Sequence, residues 1–389
     1  MFTWISKLSL RRIITSNRWI PEVDGFRFLA IFIVIAAHIY VQCQLPASHG
    51  IFSSLFRRAF SDGKLGVYLF FTISGFILAL PFARQHLSRA AEVNLSKYFM
   101  RRVTRLEPPY ILAMLLRFPL LVLYKHLSLL KTTAHLVASL FYVHSLIYNQ
   151  YSTINPPAWS LEIEIQFYIV APLLAGVFLI RSAAIRKTLL AAAILIAAIL
   201  ADTAIPSGGR ASLTLLSYSQ YFLAGILLCE IYLSRNHLHL PAFAWDAIGI
   251  AALLWILFST DSFHRTMLPF ATILLYMAGF YGRSVRGFFS LPAISIIGGM
   301  CYSIYLTHTA VLTGVQLALS RLPIQALPAG VVTAIIFALC FSLVLVVGTT
   351  FFVLIERPCM DPSWPHRLAQ KFAEMQRGDM MSDHLSDSP

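Results

Sequence analysis

The chain has few charged residues. Aspartate, glutamate, lysine and arginine together make up 12% of its 389 residues, against about 25% in an average soluble domain. Hydrophobic residues make up 58%, and the mean hydropathy is +0.72. So little charge over so long a chain argues against an ordinary soluble enzyme and indicates a membrane protein with several spanning helices.

Cysteine is also scarce. The chain has 5 cysteines, and no two of them form a CxxC pair, so we expect neither a disulfide framework nor a zinc site. Internal repeats and low-complexity segments are missing too, which excludes a solenoid. The first apolar run is about 20 residues long and no clean cleavage site follows it, so we expect a permanent span and not a signal peptide.

The net charge of +13 does not indicate nucleic-acid binding. The basic residues lie in short loops between apolar segments, where the positive-inside rule places them. No basic stripe alternates with exposed aromatic residues. We therefore expect the lipid bilayer to be a partner of the chain and nucleic acid not to be one.

Ten apolar segments are candidate spans, since a spanning helix needs roughly 20 apolar residues. They are residues 26–45, 65–83, 108–124, 160–180, 188–205, 212–233, 241–259, 266–281, 291–318 and 328–355. The distribution of lysine and arginine among the loops favours cytoplasmic termini, and it places an eleventh, shorter run, 134–148, outside as a re-entrant or interfacial helix.

The predicted fold class is therefore an all-α polytopic membrane protein with about ten transmembrane helices and both termini in the cytoplasm. We expect three regions: a cytoplasmic N-terminal segment (1–24), a membrane domain (25–358) and a polar, disordered cytoplasmic tail (359–389).

Arg27 and His38 make the first predicted span unusual. Asp24 and Gly25 are expected to begin this helix, with Asp24 at its N-cap. Arg27 and His38 would then share one face, about 16 Å apart along the axis. Ionisable side chains inside a membrane are functional candidates, and a neutral imidazole near the midplane could act as a general base. The alternative is a histidine that only bonds to a neighbouring helix.

Four further stretches carry polar groups that admit two interpretations each. Ser74-Gly75 is more often a close helix contact than a nucleophile. Arg101, Arg102 and Arg105 either keep their loop on the cytoplasmic side of the membrane or bind the phosphates of a ligand. Glu164 at the fourth span, like His308 in the ninth, is expected in the outer half of the membrane as a functional or a structural group. The stretches are Gly66–Leu78, Lys97–Ala113, Asn155–Pro172 and Cys301–Leu312.

Taken in order, these stretches resemble the membrane acyltransferase family 3. The matching motifs are VDGFRFLAIFIVIAAH with Arg27 and His38, FFTISGF at 70–76, RVTR at 102–105, WSLEIEIQFY at 159–168, YSIYLTH at 302–308 and ERP at 356–358. The resemblance covers residues 24–358. Glu162 departs from the small residue usual in the family. The chain looks like the form without a fused extracytoplasmic domain.

The resemblance implies an enzyme that transfers an acyl group, most often acetyl, from acyl-CoA to a sugar hydroxyl of a glycan or glycolipid. His38 would be the general base, with an acyl-histidine as the alternative, and Arg27 and Glu164 would complete the catalytic group. The implied residues for acyl-CoA, a donor substrate and not a resident cofactor, are Arg101, Arg102 and Arg105. The implied acceptor-binding residues are Ser74, Trp159, Tyr302 and His308, with no metal.

The resemblance and the loop charges together predict a bacterial inner (cytoplasmic) membrane protein. A proton-coupled transporter or flippase of a small molecule or lipid-linked sugar is the alternative, because a midplane histidine and inner basic residues also suit proton coupling. No inverted repeat or pair of broken helices is visible in the sequence, which disfavours this alternative.

Overall fold

A computed structural model describes residues 10–13, 19–43, 51–124, 127–206, 208–234, 240–258, 261–321, 329–361 and 363–365. Regular structure in these ranges is helical throughout, without a β-strand, so the predicted all-α class is confirmed. The α-helices are α1 (Pro21–Gln42), α2 (Ile51–Phe60), α3 (Lys64–Leu87), α4 (Leu95–Tyr124), α5 (Leu129–Leu140), α6 (His144–Tyr148), α7 (Trp159–Leu174), α8 (Ala183–Thr203), α9 (Ser219–Leu233), α10 (Ala242–Phe258), α11 (Ser262–Tyr281), α12 (Ser284–Phe289), α13 (Pro292–Gly299), α14 (Cys301–Leu319), α15 (Ala329–Phe351) and α16 (Arg357–Cys359).

Every predicted span overlaps at least one helix, but fewer than ten helices in the described ranges are long and apolar enough to cross a membrane alone. Within the described ranges there are 6 such helices: Pro21–Gln42, Lys64–Leu87, Leu95–Leu123, Pro156–Leu179, Ala183–Thr203 and Gly330–Cys359. The ninth predicted span is broken at Met300, where α13 and α14 meet at 71°, and this pair would make a seventh. The sixth is shortened because short 3-10 turns (Arg210–Leu213 and Leu215–Ser217) precede α9.

The third predicted span was placed too late in the chain. Helix α4 begins at Leu95 and continues through Pro108 and Pro109, which we expected to open it. A proline favours the first turn of a helix, but membrane helices tolerate an internal proline where neighbouring groups satisfy the freed carbonyls. The three arginines of this stretch therefore project from α4 itself and not from a loop.

The expected start of the first span at Asp24 is also wrong. Helix α1 begins at Pro21, and Ile20 is its N-cap residue, because proline suits the first helical position. Asp24 lies within the first turn, where its carboxylate accepts hydrogen bonds from Arg12 at 2.8 Å, Trp19 at 2.9 Å and Arg27 at 2.6 Å. The carboxylate thus still meets the positive end of the helix dipole.

The run at 134–148 forms two short helices, α5 and α6. Tyr142 separates them with a left-handed backbone conformation, φ 57°. At 1.5 Å per residue α5 is about 18 Å long, whereas the hydrocarbon core is about 30 Å thick. Neither helix is long enough to cross the membrane alone.

Helices α3 and α9 cross with their backbones in contact. A Cβ on Gly75 would lie 2.2 Å from the carbonyl oxygen of Phe222, and one on Gly225 would lie 2.2 Å from that of Thr72. The close helix contact expected at Ser74-Gly75 is confirmed. This crossing fixes α3 at the centre of the fold, beside α1, α7 and α11. Of the predicted cytoplasmic tail, 362 and 366–389 lie outside the described residues, as do 1–9 and 14–18 of the predicted N-terminal segment.

Candidate active site

Two histidines from different helices face each other. The ring centroids of His38 on α1 and His308 on α14 are 4.9 Å apart, and their planes are inclined by 72°. Nδ1 of His38 lies 2.8 Å from the carbonyl oxygen of Val34, and Nδ1 of His308 lies 2.7 Å from that of Tyr305. A carbonyl oxygen only accepts, so we infer that each Nδ1 carries the proton. In the neutral form of each ring, Nε2 is then the proton acceptor.

His38 lies beside α14 and the start of α3. Its neighbours Ala37 and Ile39 are buried, and Gly63, at the start of α3, would place a Cβ 3.8 Å from His38 Cε1. The His38 side chain is partly exposed, whereas His308 is fully buried and its Nε2 has no hydrogen-bond partner in the described chain. The protein therefore holds both imidazoles in its interior, with His38 the more accessible.

Arg117 is a site residue that the sequence analysis missed. Its Nη1 donates to Thr309 Oγ1, next to His308 in the chain, and lies 3.5 Å from Asn155 Oδ1. Thr309 also donates to Asn155 Oδ1, at 3.1 Å. No carboxylate in the described ranges lies within salt-bridge distance of Arg117. The signal available in the sequence was an arginine inside an apolar span.

A separate, elongated cavity of about 660 Å³ runs along α3. It extends from Val67 to Arg84, about 26 Å at 1.5 Å per residue. Its lining is strongly cationic and includes two carboxylates, Glu92 and Glu164. The cationic lining residues are Arg12, Arg27, Arg84, Lys97, Arg101, Arg102 and Arg105. The predicted donor-binding arginines are thus all brought together here, with Arg27.

The cations of this cavity differ in how far they are already paired. The Arg102 guanidinium stacks over the Tyr98 ring at 3.6 Å, and Arg105 lies 3.6 Å from Glu356. By contrast, Arg84, Lys97 and Arg101 have no carboxylate within salt-bridge distance among the residues described. The end of the cavity near Arg84 is therefore the part best suited to bind an anion.

Glu164 and His308, both expected in the outer half of the membrane, do not line the same cavity. Glu164 lines the cationic cavity, where its Oε1 accepts hydrogen bonds from Ser74 Oγ and Tyr168 OH, each at 2.7 Å. The sequence showed that Glu162 and Glu164 face different sides of α7 but not which side meets which helix. Glu162 is buried and accepts a hydrogen bond from the backbone N–H of Ser145 at 2.9 Å.

The predicted acceptor-binding residues are not brought together. Ser74 and Tyr302 line the cationic cavity, and the Tyr302 hydroxyl donates to the carbonyl of Leu106 at 2.9 Å. Trp159 does not line the cavity and packs on Tyr218, with ring centroids 5.3 Å apart. Of the four residues, only His308 lies beside His38.

The cavity ends one aromatic ring away from the histidine pair. Tyr305 and Phe70 line this end, with ring centroids 6.3 Å apart. The Tyr305 ring is 5.6 Å from that of His308, and its hydroxyl bonds to Ser160 Oγ at 2.6 Å. Neither histidine lines the cavity itself. An elongated anion placed with its charged end at Arg84 would thus have its other end beside the imidazoles.

Residues 20–347 match the model of a family described as an acyltransferase domain. The chain belongs to this acyltransferase family. The match contains both histidines, Arg117 and all the cationic residues of the cavity except Arg12.

This acyltransferase is also similar to curated proteins. The O-acetyltransferase OatA of Staphylococcus aureus is 25% identical over 330 residues, which cover 77% of this chain and 52% of the relative. The peptidoglycan O-acetyltransferase OatA of Listeria monocytogenes is 28% identical over 175 residues, 42% of this chain and 25% of the relative. The chain spans about half the length of the Staphylococcus relative. No solved structure matches it.

Proposed function

We propose that this chain is a membrane O-acyltransferase that moves an acyl group, most simply acetyl, from acyl-CoA to a sugar hydroxyl of a glycan or glycolipid. The observation that carries the proposal is the cationic cavity that ends one ring away from two paired histidines. Family membership and the similarity to O-acetyltransferases support it.

Acyl-CoA fits the cavity as a donor substrate that binds and is released in each reaction cycle. Its phosphates would lie near Arg84, Lys97 and Arg101, which lack carboxylate partners in the described chain, with Arg102 close by on α4. Guanidinium groups bind phosphate oxygens through paired, charge-assisted hydrogen bonds. The pantetheine arm would follow α3 towards Phe70 and Tyr305, and would bring the thioester to the histidines.

His38 is the general base of this proposal. Its Nε2 takes the proton of the acceptor hydroxyl as the hydroxyl oxygen attacks the thioester carbonyl carbon. The carbon–sulfur bond then breaks, and the CoA thiolate takes the proton from the imidazolium. The products are an ester and free CoA. His38 suits this role better than His308, because a base must reach the acceptor and His308 is fully buried. An acyl-histidine formed on Nε2 is the alternative course.

The orientation proposed from the loop charges suits this chemistry. With ten spans and both termini in the cytoplasm, the Arg84 end of the cavity faces the cytoplasm of a bacterial inner membrane, where acyl-CoA is made. The opposite end of α3 would then face outwards, towards a cell-surface or lipid-linked glycan. The name of the Listeria relative mentions peptidoglycan, which is one such glycan.

Transfer of radiolabelled acetyl from acetyl-CoA to a glycan tests the proposal. The purified chain in lipid nanodiscs would be incubated with labelled acetyl-CoA and fragments of peptidoglycan or surface polysaccharide. We expect label in the glycan, released by mild alkali as an ester would be. Acceptor movement across liposomes without any label in the glycan would contradict the proposal and support a carrier.

A further inference from the structure

An aromatic cluster lies near the end of α3 that is remote from Arg84. It consists of Tyr68, Tyr151, Trp159, Tyr218 and Tyr221. The rings of Tyr68 and Tyr221 stack 4.3 Å apart at 8°, and the Tyr218 ring is 6.0 Å from that of Tyr68. Trp159 connects the others, at 5.3 Å from Tyr218 and 5.8 Å from Tyr151. Helices α3, α7 and α9 therefore present one aromatic surface.

The hydroxyls of Tyr68, Tyr218 and Tyr221 have no hydrogen-bond partner in the part of the chain that the structure describes. The side chains of Tyr218 and Tyr221 are only 7% and 4% exposed, yet neither hydroxyl, nor that of Tyr68, bonds to any residue in the described ranges. Elsewhere the hydroxyls of Tyr110 and Tyr276 each donate to a backbone carbonyl at 2.8 Å. A buried phenol usually finds such a partner. The Tyr98 hydroxyl is a fully buried atom without a partner, and the oxygens of Tyr68, Tyr218 and Tyr221 are not among such atoms in the described chain.

A carboxylate lies at the same end of α3 as these hydroxyls. Asp62 is close enough to Tyr68, Tyr218 and Tyr221 to act on all three electrostatically. Its Oδ1 accepts the backbone N–H of Lys64 at 2.9 Å, and this bond holds the side chain at the start of α3. Since a carboxylate accepts more than one hydrogen bond, Asp62 has accepting capacity left for a ligand.

The cluster adjoins both parts of the candidate active site. Gly63, the residue after Asp62, faces the His38 ring, since a Cβ added to it would lie 3.8 Å from His38 Cε1. On the other side Phe71, which lines the cationic cavity, packs on Tyr218 at 5.6 Å and on Trp159 at 6.4 Å. A ligand held on the cluster would lie close to the base and to the far end of the donor cavity.

We propose that the aromatic cluster and Asp62 form the subsite that holds a sugar ring of the acceptor. The C–H faces of a pyranose pack on aromatic rings, and its hydroxyls can bond to the free phenols and to the carboxylate. The carboxylate repels anions, so the ring held here is an uncharged one. The position assigned to this ring relative to the transferred acyl group rests on the proposed function. The proposal that the cluster binds sugar does not rest on the proposed function.

Sugar binding without any donor tests the subsite. The full chain in nanodiscs would be titrated calorimetrically with a tetramer of β-1,4-linked N-acetylglucosamine and, separately, with a glucose tetramer. We expect the wild type to bind at least one of them, and Tyr221→Phe and Asp62→Asn to weaken that binding at least tenfold. Tyr232→Phe, on the same helix but packed on Phe76 and Phe280, should bind like the wild type.

The outcomes separate the subsite from the proposed function. If neither sugar binds the wild type, or if Tyr221→Phe and Tyr232→Phe bind equally well, the subsite is wrong and the cluster serves packing alone. Sugar binding that depends on Tyr221 and Asp62, in a chain that transfers no acetyl, would keep the subsite and remove the acyltransferase proposal. Transfer of acetyl to either tetramer with an unchanged acceptor KM in both variants would overturn the subsite and keep the enzyme.

Discussion

His38 and His308 approach each other from α1 and α14, with their ring centroids 4.9 Å apart. A backbone carbonyl holds each ring through Nδ1, so neither side chain depends on the other for its orientation. The pair brings together two motifs that lie far apart in the chain. This arrangement places two proton acceptors where the donor and the acceptor would meet, and several expectations depend on it.

His308 is expected to act as a positioning residue. The variant His308→Asn should lower kcat by about 100-fold, because a small misplacement of reacting groups can cost that much. The KM for acetyl-CoA should change little, since His308 does not line the donor cavity. Steady-state kinetics with both substrates varied would check this split. A large rise in the KM for acetyl-CoA with kcat preserved would contradict the assignment.

Arg102 is expected to bind the donor. In the variant Arg102→Lys a point charge replaces the planar guanidinium that stacks on Tyr98, so the KM for acetyl-CoA should rise about tenfold with the acceptor KM unchanged. Arg181→Lys is a matched control, because Arg181 lies outside the cavity. Equal donor KM values for the two variants would exclude a phosphate-binding role for Arg102.

The crossing of α3 and α9 should not tolerate a side chain. Gly225→Ala would put a Cβ 2.2 Å from a backbone oxygen, and overpacking of this kind costs about 1–3 kcal/mol. Gly176→Ala is the control, because a Cβ there meets nothing within 4 Å. Thermal unfolding in detergent should show a lower Tm for the first variant only. Equal Tm values would show that the helices separate without cost.

Stability should fall in acid because of His144, which lies outside the long apolar helices. Burial and the neighbouring His135 lower the pKa of His144 to about 4, whereas an unfolded histidine titrates near pH ~6.5. Between these values the unfolded state binds a proton that the folded state does not. The contribution of neutral His144 to the free energy of unfolding is therefore complete above about pH 6.5, and it is lost as the pH falls towards about 4.

The measurement is the Tm of the wild type and of His144→Gln across this pH range. The wild type should lose more of its Tm between pH ~6.5 and ~4 than the variant does. His135 Nδ1 lies 2.9 Å from His144 Nε2, so His135→Gln should show part of the same effect. Parallel Tm curves for all three proteins would mean that His144 takes up its proton equally in the folded state.

Local features of the fold could be predicted from the sequence. Ser74-Gly75 predicted a close helix contact, which the structure confirms, because such a contact follows from residue size. The shared face of Arg27 and His38 stays a prediction. The positions of the helices in the chain also followed from apolar runs. Helix ends were predicted less well. Helix α1 begins at Pro21, whereas α4 continues through Pro108 and Pro109, and the local preference of proline does not distinguish these two outcomes.

Relations between distant segments could not be predicted in the same way. Glu164 belongs with Ser74 and not with His308, which depends on how α7 packs on α3. The hydrogen bond from Arg117 to Thr309 and the packing of Tyr218 and Tyr221 on Tyr68 likewise depend on tertiary packing. The helical period of a sequence carries no information on such contacts, and the aromatic residues involved are common in membrane helices.

Acetyl transfer by His38→Asn tests the central claim most directly. Asparagine keeps a donor for the Val34 carbonyl but removes the basic Nε2, so the Tm should match that of the wild type. We predict that transfer of acetyl from acetyl-CoA to glycan falls by at least about 1,000-fold, within the range supplied by a general base. A folded variant that still transfers acetyl at close to the wild-type rate would contradict the claim.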